Sequence, residues 1–450
     1  LYYPPGFGDP RFRGRRPRHG QPSIRPSMNA LAKQLNRTLG PVADLLSPAG
    51  KRLYFPYGGI LGQGAEARTC GINATIGMAF EEDGSPLVMK CFADRVNLDR
   101  RAFLYAGSFG LPALRETWKK LQVKKNPSLK GIAYSNPVVT NALTHGLRIA
   151  AELFAGRGDT VVIPDLYWDN YSLIFEEACG AAIETFNTFR DGAFDADALQ
   201  AALLGPGEKK ILVLNFPNNP TGYTATLEDA PKIVAAVKAA AEAGKRIVVI
   251  LDDAYFGLVY EKGVHGESLF AAFATLDPNV LAVKLDGCTK EDYVWGLRVG
   301  FISFAFKGAT PEQLKALEAK AAGNVRSCVS NITSIGQNVA LAALSDKDYA
   351  KQKREKYNVL KKRYTTIRTL LRKHPAWAET FEVMPFNSGY FMSFECSCNA
   401  DELRHLLLDK YGTGVIRLDD HHIRLAFSSV DLKDIPALID TVYIASAELK

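Results

Sequence analysis

No stretch of this sequence comes near the roughly 18 unbroken apolar residues that a membrane-spanning helix needs. Cysteine is sparse. The 7 thiols stand at 70, 91, 179, 288, 328, 396 and 398, an odd and scattered set. Only Cys396 and Cys398 lie close together, and no second pair completes a zinc spacing, so a disulfide scaffold and a zinc module are both excluded. Reduced thiols in a cytoplasmic protein are the expectation, with no metal site. With Gly at 37 and Pro at 23, a collagen-like chain is excluded too. Charge of one sign is also lacking once the ends are separated. The net +7 is mostly carried by residues 1–27, where Arg11, Arg13, Arg15, Arg16, Arg18 and Arg25 face only Asp9. The remaining chain is nearly neutral, which leaves no electrostatic footprint for nucleic acid.

What is present is an ordinary globular composition, 47% apolar and 23% charged, which rules out disorder as the dominant state. A chain of 450 residues fits two domains, or one large domain with a smaller companion. Residues 1–27, with 6 Pro and 4 Gly and no helical period, read as a tag-like or upstream segment. They lack the apolar core of a signal peptide. From about 130 to 305, short β-branched runs alternate with helical patterns. The runs are 159–163, 211–215, 247–251, 280–285 and 299–304, apolar on both faces as buried parallel strands are. Helices over 141–155 and 227–243 fall between them. The alternation predicts an α/β sheet covered on both faces. After about 345 the pattern changes to one long helix over 346–373, read as a solvated basic face, and then to short strands and helices of an α+β companion.

Four groups of residues fall at predicted strand ends, where open sheets place their ligands. Asn218-Asn219-Pro220-Thr221-Gly222 follows the run ILVLN; by itself it is a turn sequence. Asp252-Asp253-Ala254-Tyr255 follows IVVIL. A carboxylate at the end of a buried strand either caps the next helix or needs a cationic partner. Thr289-Lys290 is followed by Gly296-Leu297-Arg298-Val299-Gly300. A buried lysine has a depressed pKa and condenses with aldehydes, and an arginine nearby grips phosphate. The helix start Ala142-Leu143-Thr144-His145-Gly146 offers small residues at an anion-binding end. Together these groups describe one ligand with an aldehyde, a phosphate and a protonated ring nitrogen: pyridoxal phosphate.

The order NNPTG, DDAY and T-K-x7-R resembles the class I/II aminotransferases, fold type I of the pyridoxal-phosphate enzymes, over about residues 72–427. The resemblance implies a large domain with a mostly parallel seven-stranded sheet between helices, plus a smaller α+β domain. The expected division is 28–95 for an N-terminal arm and part of the small domain, 96–345 for the large domain and 346–450 for the small one. It implies that Lys290 forms the Schiff base with the cofactor and shuttles the proton. Asp252 would partner the ring nitrogen, Asn219 and Tyr255 the phenolic oxygen, and Trp168 the ring face. Ala142, Leu143, Thr144 and Arg298 would hold the phosphate, and Tyr105 would reach the phosphate in a partner subunit of a homodimer. Arg424 would grip the substrate α-carboxylate opposite Gly77. Gly287 stands where the family often has serine, so one phosphate contact is missing or replaced. Arg326, in a run R-x-x-x-S-N, resembles the arginine that binds a distal carboxylate across the dimer interface in aspartate and aromatic aminotransferases. The implied activity is ping-pong transfer of an α-amino group between an amino acid and a 2-oxo acid. Glutamate and 2-oxoglutarate would be one pair, with aspartate or an aromatic amino acid as the other donor. A β- or γ-elimination lyase on the same fold is the alternative. A regulatory domain is the remote one, because residues 1–71 are too short and irregular for a fused winged helix.

Overall fold

The β-branched runs form strands because alternate residues find apolar cover on both sides. In the strand Arg246–Asp252, Val248 and Ile250 join one core, while Ile247, Val249 and Leu251 join another across the sheet. The computed structural model describes residues 28–56 and 58–450; the segment 1–27 lies outside the described residues. Its central sheet has seven strands: β1 (Val138–Asn141), β2 (Thr160–Pro164), β3 (Ala182–Phe186), β4 (Lys209–Asn215), β5 (Arg246–Asp252), β6 (Val280–Gly287) and β7 (Val299–Phe306). Their spatial order is β1-β7-β6-β5-β4-β2-β3. Only β7 runs antiparallel to its neighbours, so the sheet is mostly parallel as expected.

The helices that matter for the site are α1 (Pro112–Lys125), α2 (Ala142–Phe154), α3 (Asp229–Glu242), α4 (Pro311–Cys328) and α5 (Tyr349–Lys373). Helix α2 packs close against β6. A β carbon on its Gly146 would come within 2.9 Å of the Leu285 side chain. Helix α3 covers the opposite face with Ile233, Ala236, Val237 and Ala240, all buried.

The C-terminal part forms a second, antiparallel sheet of four strands: β8 (Phe381–Val383), β9 (Phe391–Cys396), β10 (Ile416–Arg417) and β11 (His422–Ala426), in the order β8-β9-β11-β10. The short strand Ile72–Asn73 pairs in parallel with Thr413–Gly414, so chain from the N-terminal part joins this layer. Helix α5 lies along it, and here the sequence reading needs correction. Its basic residues are not simply a solvated face. Arg363 is completely buried, donating to the Ser428 and Phe80 carbonyls and to Glu82. Lys353, Lys356 and Arg368 make ion pairs with Glu291, Glu81 and Glu261. Acidic partners from distant segments turn these charges inward, and a local charge count does not see them. Among the described residues, no helix is long and apolar enough to cross a membrane.

Candidate active site

Strand register alone gathers the predicted residues. Asn215 pairs with Asp252, Asp252 with Leu285, Gly287 with Gly300 and Val299 with Asn141. The ends of β4, β5 and β6 and the start of α2 therefore share one edge, the usual ligand edge of an open α/β sheet. A cleft opens there, lined by Gly77, Ala142, Leu143, Thr144, Trp168, Asn219, Asp252, Tyr255, Lys290, Arg298 and Arg424. Of the predicted site residues, Tyr105 and Arg326 do not line it.

Asp252 ends β5 fully buried. Its Oδ2 accepts a 2.7 Å hydrogen bond from the Tyr171 hydroxyl, while its Oδ1 is buried with no hydrogen-bond partner among the described residues. Burial pushes this carboxyl above the usual range, and the Tyr171 bond and the Lys290 charge pull the other way. Asn215 braces the corner: its side-chain amide donates to the Asp252 carbonyl at 2.7 Å, and its Oδ1 accepts from the Asn219 backbone N–H at 2.7 Å.

Lys290 sits in a short helix, Cys288–Glu291, just past β6. Its Nζ lies 4.7 Å from the centroid of the Tyr255 ring. Burial lowers its pKa to about 8, with Asp252 opposing and Arg298 reinforcing the drop. An amine with this pKa gives up its proton near neutral pH far more readily than an ordinary lysine. Tyr255 itself is pushed well up by burial and stays protonated.

At the other end of the cleft the backbone is shaped for an anion. Ala142 and Arg298 both hold left-handed φ, 60° and 55°, a conformation uncommon outside glycine that clusters at functional sites. The Ala142 N–H donates to the Arg298 carbonyl at 3.1 Å, locking the two together. Gly300 passes so close beneath that a β carbon would lie 2.7 Å from the Ala142 carbonyl carbon. The same crowding accounts for Gly287, where a β carbon would lie 2.6 Å from Gly300 Cα: a side chain has no room there. Thr289 Oγ1 is buried without a hydrogen-bond partner among the described residues, a further polar atom of the cleft. Arg298 is half-buried on the rim, its pKa lowered by desolvation.

Arg424, in β11, is buried and lies 4.4 Å over the Phe391 ring. It donates to Asn219 Oδ1 at 3.1 Å and to the Thr75 carbonyl at 2.8 Å, both neutral acceptors. Burial lowers its pKa to about 10, so it remains a cation at neutral pH, suited to an incoming carboxylate. Gly77 lies beside the same ring: a β carbon there would meet Phe391 at 3.5 Å.

Tyr105 is 91% exposed, beside exposed Phe103 and Leu104. Arg326, at the end of α4, is also exposed and donates to Ser330 Oγ at 2.8 Å. The segments that carry them are tied together, because Ser108 Oγ donates to the Ser330 carbonyl at 2.8 Å. Sequence reading missed Tyr171, Asn215 and Ile60, which also line the cleft. The signal for Tyr171 was its place three residues after Trp168, and for Asn215 its place at the end of ILVLN. Ile60 lies in a segment with no pattern to announce it.

The sheet order and this cleft define the fold of the type I pyridoxal-phosphate proteins. Residues 79–442 match the family "Aminotransferase class I and II", and the chain belongs to that family. It is 28% identical over 249 residues to a Bacillus subtilis protein named "Probable N-acetyl-LL-diaminopimelate aminotransferase", covering 55% of this chain and 57% of the relative. It is 26% identical over 375 residues to an aspartate aminotransferase of Pyrococcus horikoshii, covering 81% of this chain and 88% of that one. The chain thus spans little more than half of the Bacillus protein's length, 57%, and most of the Pyrococcus protein's. The fold is that of an aminotransferase crystal structure from Anaerococcus prevotii, with TM-score 0.75, 24% identity and coverage of 86% of this chain and 95% of that one. Members of the family use pyridoxal phosphate. The residues present fit that group. Asp252 Oδ1 is a buried acceptor lacking a donor among the described residues, Lys290 is a half-buried amine in the same cleft, and Gly300 leaves no room for a β carbon against the Ala142 backbone.

Proposed function

We propose that this chain is an aminotransferase that moves an α-amino group between an amino acid and a 2-oxo acid in a ping-pong cycle. The observation that carries the reading is the buried, half-satisfied carboxylate of Asp252 in one cleft with Lys290 and Arg424. When bound, pyridoxal phosphate supplies the electron sink for the pair released at the substrate Cα. Lys290 would hold its aldehyde end, Asp252 its ring nitrogen, Asn219 and Tyr255 its phenolic oxygen, and Trp168 its face. Ala142, Leu143, Thr144 and Arg298 would hold its phosphate. Arg424 orients the substrate by its α-carboxylate, which places the Cα–H bond toward Lys290. Lys290 Nζ then takes the Cα proton and returns it, a transfer that its pKa of about 8 favours near neutral pH.

A homodimer completes this site. Exposed Phe103, Leu104 and Tyr105 form an apolar surface tied to the Arg326 loop. In a two-fold dimer paired through that surface, Tyr105 and Arg326 would serve the partner's cleft. Arg326 would there bind a distal carboxylate, making glutamate and 2-oxoglutarate one substrate pair and aspartate or an aromatic amino acid the other donor. The test mixes the holoenzyme with each amino acid in turn and no acceptor, and follows the cofactor's absorbance. A change that a 2-oxo acid reverses supports transamination. Release of ammonia without an acceptor points to an elimination lyase instead.

A further inference from the structure

The two residues after Lys290 turn away from the cleft into a separate buried ion cluster. Glu291 is 1% exposed and Asp292 not at all. Lys353, in the first turns of α5, donates to Glu291 at 2.6 Å and to Asp292 at 2.9 Å. Lys125, at the end of α1, also donates to Glu291 at 2.8 Å, and the Tyr349 hydroxyl donates to Asp292 at 2.7 Å. Two carboxylates and two ammonium groups thus balance inside the protein. Lys353 and Lys125 together hold the Glu291 pKa down to about 2 against its burial. From the second sheet, the Tyr390 hydroxyl donates to the Lys290 carbonyl at 3.0 Å.

Helix α5 carries this grip elsewhere. Ten residues beyond Lys353, about 15 Å along the axis, Arg363 donates to the Ser428 carbonyl, four residues after Arg424. One helix is therefore fastened at one end to the turn that bears Lys290. Further along it is fastened to the segment that follows the carboxylate-gripping strand. No step of the proposed chemistry uses Lys353, and nothing about a solvated helix requires a half-buried lysine paired with two buried acids.

We infer that Lys353 is a positioning residue for Lys290: through Glu291 and Asp292 it fixes the lysine-bearing turn to α5, so that the turn follows the strand that holds the substrate carboxylate. The inference rests on the reading of Lys290 as the cofactor-bearing residue. Reacting groups tolerate little misplacement, and a shift of about 1 Å costs on the order of a hundredfold in rate.

The test uses the holoenzymes of the wild type, Lys353→Met, Lys353→Arg and Tyr349→Phe. The readouts are the visible circular dichroism that the protein induces in its bound cofactor, per cofactor bound, and the split of kcat and KM for one amino donor. For Lys353→Met the induced signal should fall by about half or more and kcat by about tenfold or more, with KM for the donor changed by less than about threefold. Lys353→Arg should retain both, and Tyr349→Phe should move both the same way by less. A Lys353→Met enzyme with lowered thermal stability but wild-type induced signal and kcat overturns the inference, since a purely structural role predicts that result. Should Lys353→Met not fold, the decision passes to Tyr349→Phe, whose unchanged signal and kcat would overturn it equally. The wild type separates the two readings. Absence of a cofactor-linked signal there, or of cofactor on Lys290, removes the functional reading itself. Its presence with unaltered variants removes only the role of Lys353.

Discussion

Tyr171 donates its hydroxyl hydrogen to Asp252 Oδ2 at 2.7 Å, leaving Oδ1 of the same cleft-lining carboxylate buried without a hydrogen-bond partner among the described residues. The bond does two things. It lowers the pKa of a carboxyl that burial would otherwise raise further, and it fixes which oxygen remains for a ligand.

Tyr171→Phe removes that bond and changes little in volume. A hydrogen bond to a charged group contributes about 1.5–3 kcal/mol, so cofactor affinity, kcat or both should fall by roughly 10–150-fold. Cofactor release on dialysis and steady-state kinetics check it. Wild-type values in both would show that Asp252 does not need the support.

The half-buried Lys290 makes the cofactor-free protein sensitive to alkaline pH in a definite direction. Its native pKa of about 8 lies below the ordinary 10.5. Between these values the unfolded chain binds more protons than the native one, so stability rises with pH through that window. Below pH 8 both states carry the charge and the full penalty stands, roughly 3 kcal/mol at 1.36 kcal/mol per pH unit. Cofactor-free Lys290→Met should therefore melt higher than the cofactor-free wild type at pH 7, with the gap closing toward pH 10.5. Denaturant unfolding at both pH values measures it.

Gly300→Ala puts a methyl group 2.7 Å from backbone that cannot give way. Overpacking of this kind costs about 1–3 kcal/mol. Here it also pushes Ala142 out of the anion cradle, so cofactor should be lost more readily while the secondary structure stays intact. Circular dichroism in the far ultraviolet and the amount of cofactor retained separate these effects.

Arg326→Ala tests the proposed specificity. If a partner's Arg326 binds a distal carboxylate, the preference of kcat/KM for 2-oxoglutarate over pyruvate should fall by about 10–150-fold, the equivalent of one charge-assisted contact. An unchanged preference would assign Arg326 to the surface alone.

The central strands and their ligand edge were legible in the sequence because β4, β5 and β6 are buried on both faces and appear as unbroken apolar runs. The site followed from them, since Asn219, Asp252 and Lys290 each stand just past such a run. The outer strands were not legible. Strand β3 is only partly covered along most of its length, and β1 is four residues long, so neither makes a distinct apolar block. Tyr171 escaped notice because its role depends on a partner 81 residues away. The inward turn of Lys353 and Arg363 escaped for the same reason. Their acidic and carbonyl partners come from segments that sequence proximity does not connect.

The central claim is that Lys290 is the residue that binds the cofactor covalently. Borohydride reduction of the holoenzyme, followed by digestion and mass spectrometry, tests it most directly. The account predicts the cofactor's mass on the peptide containing Lys290 and nowhere else, with none in Lys290→Ala. Cofactor fixed to another lysine, or wild-type turnover in Lys290→Ala, would contradict it.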